Sequence, residues 1–414
     1  MVRLKRWPGT ATSSPSPSSL DLRETPQDRL GLSGLLARLV SHRLSEEKGK
    51  FMRKAQMSGL IPITMIGVLI TDLLGSSAQG AIQYSVTLLN PDGIYTRAYG
   101  MNDAGQVVGA IWSSPAHAFL YQNGVKRDLG SIGSGASSAA YAINARGQVA
   151  GYSVTNSRDE HAAIFAGNGL VQDLGTLGGF ESIAWGINDS GQAVGRSDTA
   201  TGAMHAFLYT PQQGMRDLAT FDANANGINN AGTVVGYAYF PGVTINHAFQ
   251  YTAAGGMRDL VGPGGPESMA TAINAAGQIV GYSGGHAVMW NPDGSLRNLG
   301  APTVSGMALA INNAGQAVGV ANDHAVIWNG SAMLDLNTVI DPRRGWVLYY
   351  ATGINSAGQI AAWGAAPETG GSAEAAFLLT PVPDPATMIL MAAGLLGLLS
   401  RRSRALASTP TAQY

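Results

Sequence analysis

An Asn-x-x-Gly step recurs seven times in the middle of this chain, at Asn102, Asn144, Asn188, Asn229, Asn274, Asn312 and Asn355. The copies stand 38 to 45 residues apart. A period of this length constrains the fold more than any single motif, because it fits four short strands with their turns, the content of one propeller blade. Each unit opens on an apolar run such as Ala140-Tyr141-Ala142-Ile143, followed by the Asn-x-x-Gly turn. Asn and Gly both tolerate positive φ, so the turn joins a hairpin. A second strand such as Ile279-Val280-Gly281-Tyr282 comes next. A third carries His-Ala-Phe (His117-Ala118-Phe119, His205-Ala206-Phe207, His247-Ala248-Phe249), and a fourth ends in Asp-Leu (Asp128-Leu129, Asp173-Leu174, Asp217-Leu218, Asp259-Leu260, Asp335-Leu336). No segment of the repeat has helical periodicity, so the class is all-β.

Four residues before each turn Asn stands Ala: Ala98, Ala140, Ala184, Ala225, Ala270, Ala308 and Ala351. Two residues before it stands Gly or Ala, from Gly100 to Gly353. Alternation puts both on one face, and small side chains suit the innermost, most crowded strand of a blade. The run Tyr84–Leu89 precedes the first unit and belongs to none, while the last unit, Ala351 to Leu379, lacks an Asp-Leu strand. Supplying one from the other closes a ring of seven without a free sheet edge. The expected architecture is a seven-bladed β-propeller of four-stranded repeats averaging near 43 residues. An open β-solenoid is the alternative, and it has no need of the displaced strand.

Charged residues make up 12% of the 414, with a net charge of −1. That excludes a nucleic-acid surface, which needs clustered Lys and Arg to displace counterions. The 55 glycines lack a collagen period and mark tight turns. There is no cysteine, so disulfides, thiolate chemistry and Cys-ligated metals are excluded.

The two ends read as targeting segments. Met52-Arg53-Lys54, an apolar run from Met57 to Leu74 interrupted by Asp72, and Ser77-Ala78-Gln79-Gly80-Ala81 give the order of a secretory signal at 52–81. A transmembrane anchor is the other reading. Residues 1–51, Ser/Thr/Pro-rich and then charged, are either a disordered leader or a misassigned start, with Met52 the true initiator. At the other end, Val382-Pro383-Asp384-Pro385 precedes an apolar run from Met388 to Leu399, and Arg401, Arg402 and Arg404 follow. At ~1.5 Å per residue the run is short for a ~30 Å hydrocarbon core, and its basic end belongs on the cytoplasmic side. A terminal apolar helix with no polar face does not suit a soluble core. The expected organisation is a leader at 1–51, a signal helix at 52–81, the repeat domain at 82–381, a sorting segment with a transmembrane helix at 382–404, and a tail at 405–414.

The C-terminal segment resembles the PEP-CTERM sorting signal, in which Pro-Glu-Pro precedes a membrane helix and a basic end. Here Asp384 stands in place of Glu, and ten residues follow Arg404. The resemblance implies recognition by an exosortase-type enzyme, cleavage near the motif, and delivery to the envelope or extracellular matrix of a Gram-negative bacterium. The repeats resemble the HAF-repeat family of probable extracellular repeats, over Tyr84 to Pro381. The copies drift: His161 precedes Ala-Ala-Ile, His286 and His324 precede Ala-Val, and the last unit has Ala375-Ala376-Phe377. This second resemblance adds architecture and location and carries no activity.

Six histidines hold the third-strand position: His117, His161, His205, His247, His286 and His324, each followed 11 or 12 residues later by the fourth-strand Asp, or by Asn298 after His286. Metal or catalytic His–Asp sites are one reading. A structural hydrogen bond in each blade is the favoured one, because one cleft holds one reaction and an amide can replace the carboxylate in a bond. The Asn-x-x-Gly turns lack the carboxylates calcium needs. Gly175–Gly179 and Gly262–Gly265 lack the Lys-Ser/Thr ending of a phosphate loop. Departures from the repeat are better places for function. Arg343, Arg344 and Trp346 form an inserted loop suited to a contact surface. Tyr99, Tyr141, Trp185, Asn226, Thr271 and Leu309 either line the axis or pack between blades. Of the off-pattern acids Asp222, Glu181 and Glu267, nothing in the sequence pairs any two. The sequence therefore predicts a non-enzymatic surface or matrix protein, without metal or cofactor, binding exopolysaccharide or a surface protein. A propeller glycosidase or lyase, with two converging carboxylates, is the alternative, and a purely structural envelope filler is a third reading.

Overall fold

The computed structural model describes residues 83–382, apart from 167–168, 263–264, 302 and 370–373. Over this span the chain is a seven-bladed β-propeller of four-stranded antiparallel sheets. In blade 1 the strands run Thr96–Met101, Val107–Ile111, His117–Gln122 and Val125–Asp128, and the next five blades repeat that order. Blade 7 has only three strands of its own: Val347–Ile354, Ile360–Ala365 and Glu374–Val382. Its fourth is Gln83–Leu88, paired antiparallel so that Leu88 faces Phe377 and Gln83 faces Val382. The displaced N-terminal strand closes the ring, as the count of units predicts. Among the described residues no helix is long and apolar enough to cross a membrane. The expected signal and transmembrane helices fall outside the described residues, as do Pro383, Asp384, Pro385, Arg401, Arg402 and Arg404.

The core lies between blades rather than within them. Each pair of neighbouring blades encloses one apolar cluster, including the seam between blades 7 and 1. The Phe of each His-Ala-Phe step (Phe119, Phe207, Phe249) and Phe377 are fully buried there. Burying one such ring contributes roughly 2–3 kcal/mol.

The first strands are the innermost. A Cβ built on Gly100 would lie 2.6 Å from the carbonyl oxygen of Tyr141 in the next blade, and one on Gly353 would lie 3.0 Å from Met101. All seven alanines four residues before the turn Asn have no exposed surface. The simple alternation expected there does not hold, because a bulge inserts one extra residue between the Ala and the Gly/Ala position, as between Ala98 and Gly100. The inserted residues are Tyr99, Tyr141, Trp185, Asn226, Thr271, Leu309 and Thr352. The bulge also explains the second-strand glycine. A Cβ on Gly195 would lie 1.8 Å from the Ile183 carbonyl oxygen, with the same clash at Gly109, Gly151, Gly236, Gly281 and Gly319. Blade 7 departs: Ala362 takes that place, and the inner strand has a second bulge between Leu348 and Tyr350.

Candidate functional site

The ring has two unlike faces. The Asn-x-x-Gly turns cover one, the turn face. The inter-blade linkers and the loops between second and third strands cover the other, the linker face.

On the turn face each turn Asn bonds its own turn and the next blade. Asn188 Oδ1 accepts from Ser190 N at 3.0 Å and from Gln192 N at 3.1 Å, closing its own turn. Its Nδ2 donates to Gln192 Oε1 at 2.7 Å and to the backbone carbonyl of Asn229, in the next blade, at 3.1 Å. The inter-blade bond repeats all the way round, from Asn102 to Asn144 (3.0 Å) through to Asn355 back to Asn102 (3.4 Å). Seven like links make a belt round the ring. Sequence reasoning found the turn and missed the belt.

The histidines stand at the rim of the linker face. His117 pairs with Asp128 at 2.8 Å, His161 with Asp173 at 2.9 Å, His205 with Asp217 at 2.7 Å, His247 with Asp259 at 2.8 Å and His324 with Asp335 at 2.6 Å. In each case the same Asp caps the departing linker: Asp173 Oδ1 accepts from Gly175 N at 2.8 Å, and Asp128 from Gly130 N at 2.8 Å. Each pair therefore ties a third strand to the turn that leaves the blade. The structure departs from expectation at His286, whose Nδ1 lies 3.1 Å from the Val304 carbonyl oxygen, with no bond to Asn298. Among the described residues no three acids or histidines gather as a metal site. Buried serines supply links not foreseen from the sequence: Ser138, Ser182 and Ser268 each accept the N–H of the previous blade's third-strand Ala, at 2.8–3.0 Å.

The inserted loop is partly committed. Asp341 caps the short turn Pro342–Arg344 and pairs with Arg343 at 2.8 Å, while Arg344 sits 5.3 Å over the Trp346 ring. Trp346 packs on Phe377 and donates to Glu368 Oε2 at 2.9 Å. Arg343 and Arg344 point to solvent and Trp346 anchors them.

The linker face also carries most of the exposed large apolar side chains. Ile94, Trp112, Phe180, Tyr239, Ile245 and Val347 lie there, with Phe180 76% exposed. The others, Val125, Leu170, Leu296 and Met333, stand singly at the starts of fourth strands, and Val382 at the end of the last strand. Towards the axis the bulge residues of blades 1–3 form an aromatic arc: Tyr99 and Tyr141 lie 5.1 Å apart and Tyr141 and Trp185 4.3 Å apart. On the far side of the axis the bulge positions are polar or aliphatic. Asn226 donates to Ala270 O at 2.7 Å and Thr271 to Ala308 O at 2.7 Å. The bulge residues thus pack between blades as well as facing the axis.

Two charged groups flank the arc. At the 7–1 seam, Arg97 is engaged by Glu374 in a two-pronged ion pair, with one prong at 2.8 Å. The guanidinium lies 4.4 Å over Trp363, which stacks on Tyr350. Burial and the bond to Glu374 push Tyr95 up to about 12. At the 2–3 seam, Glu160 is half-buried, and burial and the charge of Glu181 raise its carboxyl above the ordinary range. Arg196, on the second strand of blade 3, donates only to Met204 Sδ at 3.3 Å and forms no ion pair. Glu160 and Arg196 are functional candidates that sequence reasoning missed. Their signal was visible: Arg196 holds a place that is Tyr152, Tyr237 and Tyr282 in three other units. Asp222 accepts from Met204 N at 3.2 Å, and no contact brings Glu267 to another acid.

Residues 381–404 match the PEP-CTERM protein-sorting motif. The motif implies an exported, envelope-associated protein recognised by an exosortase-type processing enzyme. No curated protein matches the chain. Among solved structures it is similar to a gluconolactonase from Xanthomonas campestris (12% identity, 74% of this chain and 93% of that one, TM-score 0.38). It is also similar to TolB from Acinetobacter baumannii (10%, 57% and 62%, TM-score 0.41). A third is the BP39L lectin from Burkholderia pseudomallei (10%, 73% and 98%, TM-score 0.38). All three TM-scores lie below 0.5, and the propeller assignment rests on this chain's own strand pairing.

Proposed function

We propose that this is a surface or matrix protein of the HAF-repeat kind, whose propeller is a non-catalytic binding module presented through its linker face. In this reading residues 52–81 are removed on export, residues 82–381 form the module, and the segment from 382 to 404 anchors it in the membrane until an exosortase-type enzyme acts. The observation that carries the reading is the inequality of the two faces. The turn face is consumed by the Asn belt, and the chain leaves the ring there: a Cβ on Gly358, in the seventh turn, would touch Pro381 at 3.4 Å. Pro381 already belongs to the sorting motif, so the membrane-directed segment starts where the propeller stops. The linker face, with its exposed aromatic and aliphatic side chains, points the other way and is free to meet polysaccharide or another surface protein. Arg343 and Arg344 extend that contact surface beside blade 7.

Fractionation of the native host followed by terminal sequencing tests this. The expected product is in the envelope or extracellular fraction, begins at residue 82 and ends before Leu399. A full-length product in the cytoplasm overturns the reading.

A catalytic reading has one observation in its favour. Glu160 is half-buried in the field of Glu181, and two neighbouring carboxyls are what glycoside cleavage needs. Release of reducing ends from a polysaccharide, lost in Glu160→Gln, would establish it.

A further inference from the structure

We propose that the gap between blades 1 and 2 on the linker face is a binding site for an acidic sugar, a uronate unit whose carboxylate pairs with Arg158. The proposal rests on the reading of the propeller as an extracellular binding module and names what that module holds.

A cavity of about 460 Å³ opens there, within the roughly 300–1,000 Å³ of small-molecule sites. Its walls are the loop around Ser114 and Pro115 in blade 1, the linker Gly133–Ser137, and the loop that follows Val154 in blade 2. The linker explains the space. Ser138 and Ser182 hold equivalent places at successive seams, each accepting the N–H of the preceding blade's third-strand Ala. Counting back from them, Ala136 and Ser137 stand where the 2–3 linker carries Phe180 and Glu181. The Ala136 place lies four residues before the inward alanine, and the other units hold Ile94, Phe180, Phe221, Pro266, Val304 or Val347 there. At the 3–4 seam Phe221 packs on Phe240, their ring centroids 5.4 Å apart. Ala136 is the smallest residue of the seven, and Gly135 beside it has nothing within 4 Å of where a Cβ would stand.

Arg158 is the one charged residue lining this cavity. Its loop in blade 2 and the matching loop in blade 3 are built alike: Arg158 N donates to Thr155 O and Thr155 N to Asp159 O, as Gly202 N does to Thr199 O and Thr199 N to Ala203 O. Both loops turn through a left-handed residue, φ 75° at Arg158 and 81° at Gly202. Glycine takes that conformation freely, whereas a side chain there costs stability. Blade 3 has the glycine. Blade 2 has an exposed arginine instead, and among the described residues no carboxylate pairs with it. Asp159, next in the chain, does not line the cavity.

The other groups lining the gap narrow the ligand. Asn156 Oδ1 accepts from Ser134 N at 3.4 Å, which leaves the NH2 of Asn156 to donate elsewhere. Ser114 and Ser134 add hydroxyls. One positive charge, no negative one, and several hydroxyl and amide groups suit a singly charged anion rich in oxygen. The planar guanidinium fork matches a carboxylate through two parallel hydrogen bonds. A phosphate monoester calls for a second cation, and none lines the cavity. Pro115, Ala136 and Val154 give a small apolar patch, enough for the C–H face of a sugar ring and too little for the side chains of a peptide.

Titration calorimetry of the mature protein at low salt tests the assignment. The probes are oligogalacturonate, its fully methyl-esterified form, inorganic phosphate and a short polyglutamate. Oligogalacturonate is expected to occupy one site per chain and to bind more weakly as salt rises. The methyl ester keeps the hydroxyls and loses the charge, and should bind about tenfold more weakly or worse. Arg158→Gly should show the same loss, and so should Ala136→Phe, which fills the gap with the residue of blade 3. Arg146→Gln, on the turn face, should bind as the wild type does. Arg158→Gly restores the residue that blade 3 uses, so its melting temperature is expected to be no lower than that of the wild type. A destabilised or unfolded Arg158→Gly overturns the site, because the guanidinium then serves the fold. The site is also overturned if the methyl ester binds as tightly as the acid, if phosphate or polyglutamate is preferred, if oligogalacturonate does not bind, or if Arg158→Gly binds it as the wild type does. Where such a protein is still recovered from the envelope, the ligand assignment alone has failed. A full-length cytoplasmic product removes the binding-module reading as well.

Discussion

Replacing Asn188 by Ala removes one link of the belt, and its cost can be worked from the bonds. Four hydrogen bonds are lost: two N–H groups of the turn lose Oδ1, and Gln192 Oε1 and the Asn229 carbonyl lose Nδ2. Asn188 is only 3% exposed. Ser190 lies at the surface, and water replaces the bond to its N–H at little cost. The Asn229 carbonyl keeps the Gly232 N–H at 3.0 Å and loses its second donor. Each lost bond costs about 1 kcal/mol or less, so the sum is about 1–3 kcal/mol. For a domain of this size that lowers the melting temperature by roughly 2–8 °C.

Asn188→Asp separates the turn from the belt. The carboxylate still accepts from both turn N–H groups but has no donor for Asn229 O, and at neutral pH it puts negative charge against that carbonyl. At neutral pH the variant is therefore expected to be less stable than wild type. Thermal melts of wild type, Asn188→Ala and Asn188→Asp between pH 4 and 7.5 read this directly. If Asn188→Asp equals wild type at pH 7, or Asn188→Ala lies within about 0.5 kcal/mol of wild type, the inter-blade bond carries no weight and the belt is only turn geometry.

Two further outcomes are expected. Gly195→Ala drives a Cβ into the Ile183 carbonyl and against the Phe207 ring; flattening the bulge to relieve it costs about 3 kcal/mol or more, read as loss of soluble yield or a fall in melting temperature. Because burial and Glu181 raise the Glu160 pKa, its ionisation opposes folding, so Glu160→Gln is expected to stabilise the protein at pH 7. The gain should shrink as pH falls towards ~4.3, the ordinary Glu value, and a pH-independent difference in melting temperature would refute that.

The features legible in the sequence are those fixed by local chemistry repeated seven times. The Asn-x-x-Gly spacing counts the blades, the inward alanines locate the crowded strand, and the unmatched run Tyr84–Leu89 announces the closure. The illegible features depend on which blades become neighbours. The amide of Asn188 finds the carbonyl of Asn229, 41 residues away, and nothing local to either turn distinguishes this bond from a lone turn. The second-strand glycine is plain in the sequence, but its cause, a carbonyl pushed forward by the bulge on the facing strand, appears only in three dimensions. His286 shows the opposite failure: a pattern extrapolated one copy too far, where the Val304 carbonyl won the imidazole and Asn298 was left out.

Repetition separates scaffold from site in this molecule. A ring of seven like units must satisfy the same polar groups at every seam, so whatever recurs, such as the Asn amides, the His–Asp pairs and the serines, is already spent on a neighbour. Spare bonding capacity arises only where one copy differs from the rest. Glu374 shows what happens when the difference is answered: Arg97 closes on it and the seam is sealed. Glu160 shows the unanswered case, because Ile183 stands in the place of Arg97 and cannot bond a carboxylate. A half-buried carboxylate that has given up water without gaining a partner weakens a fold.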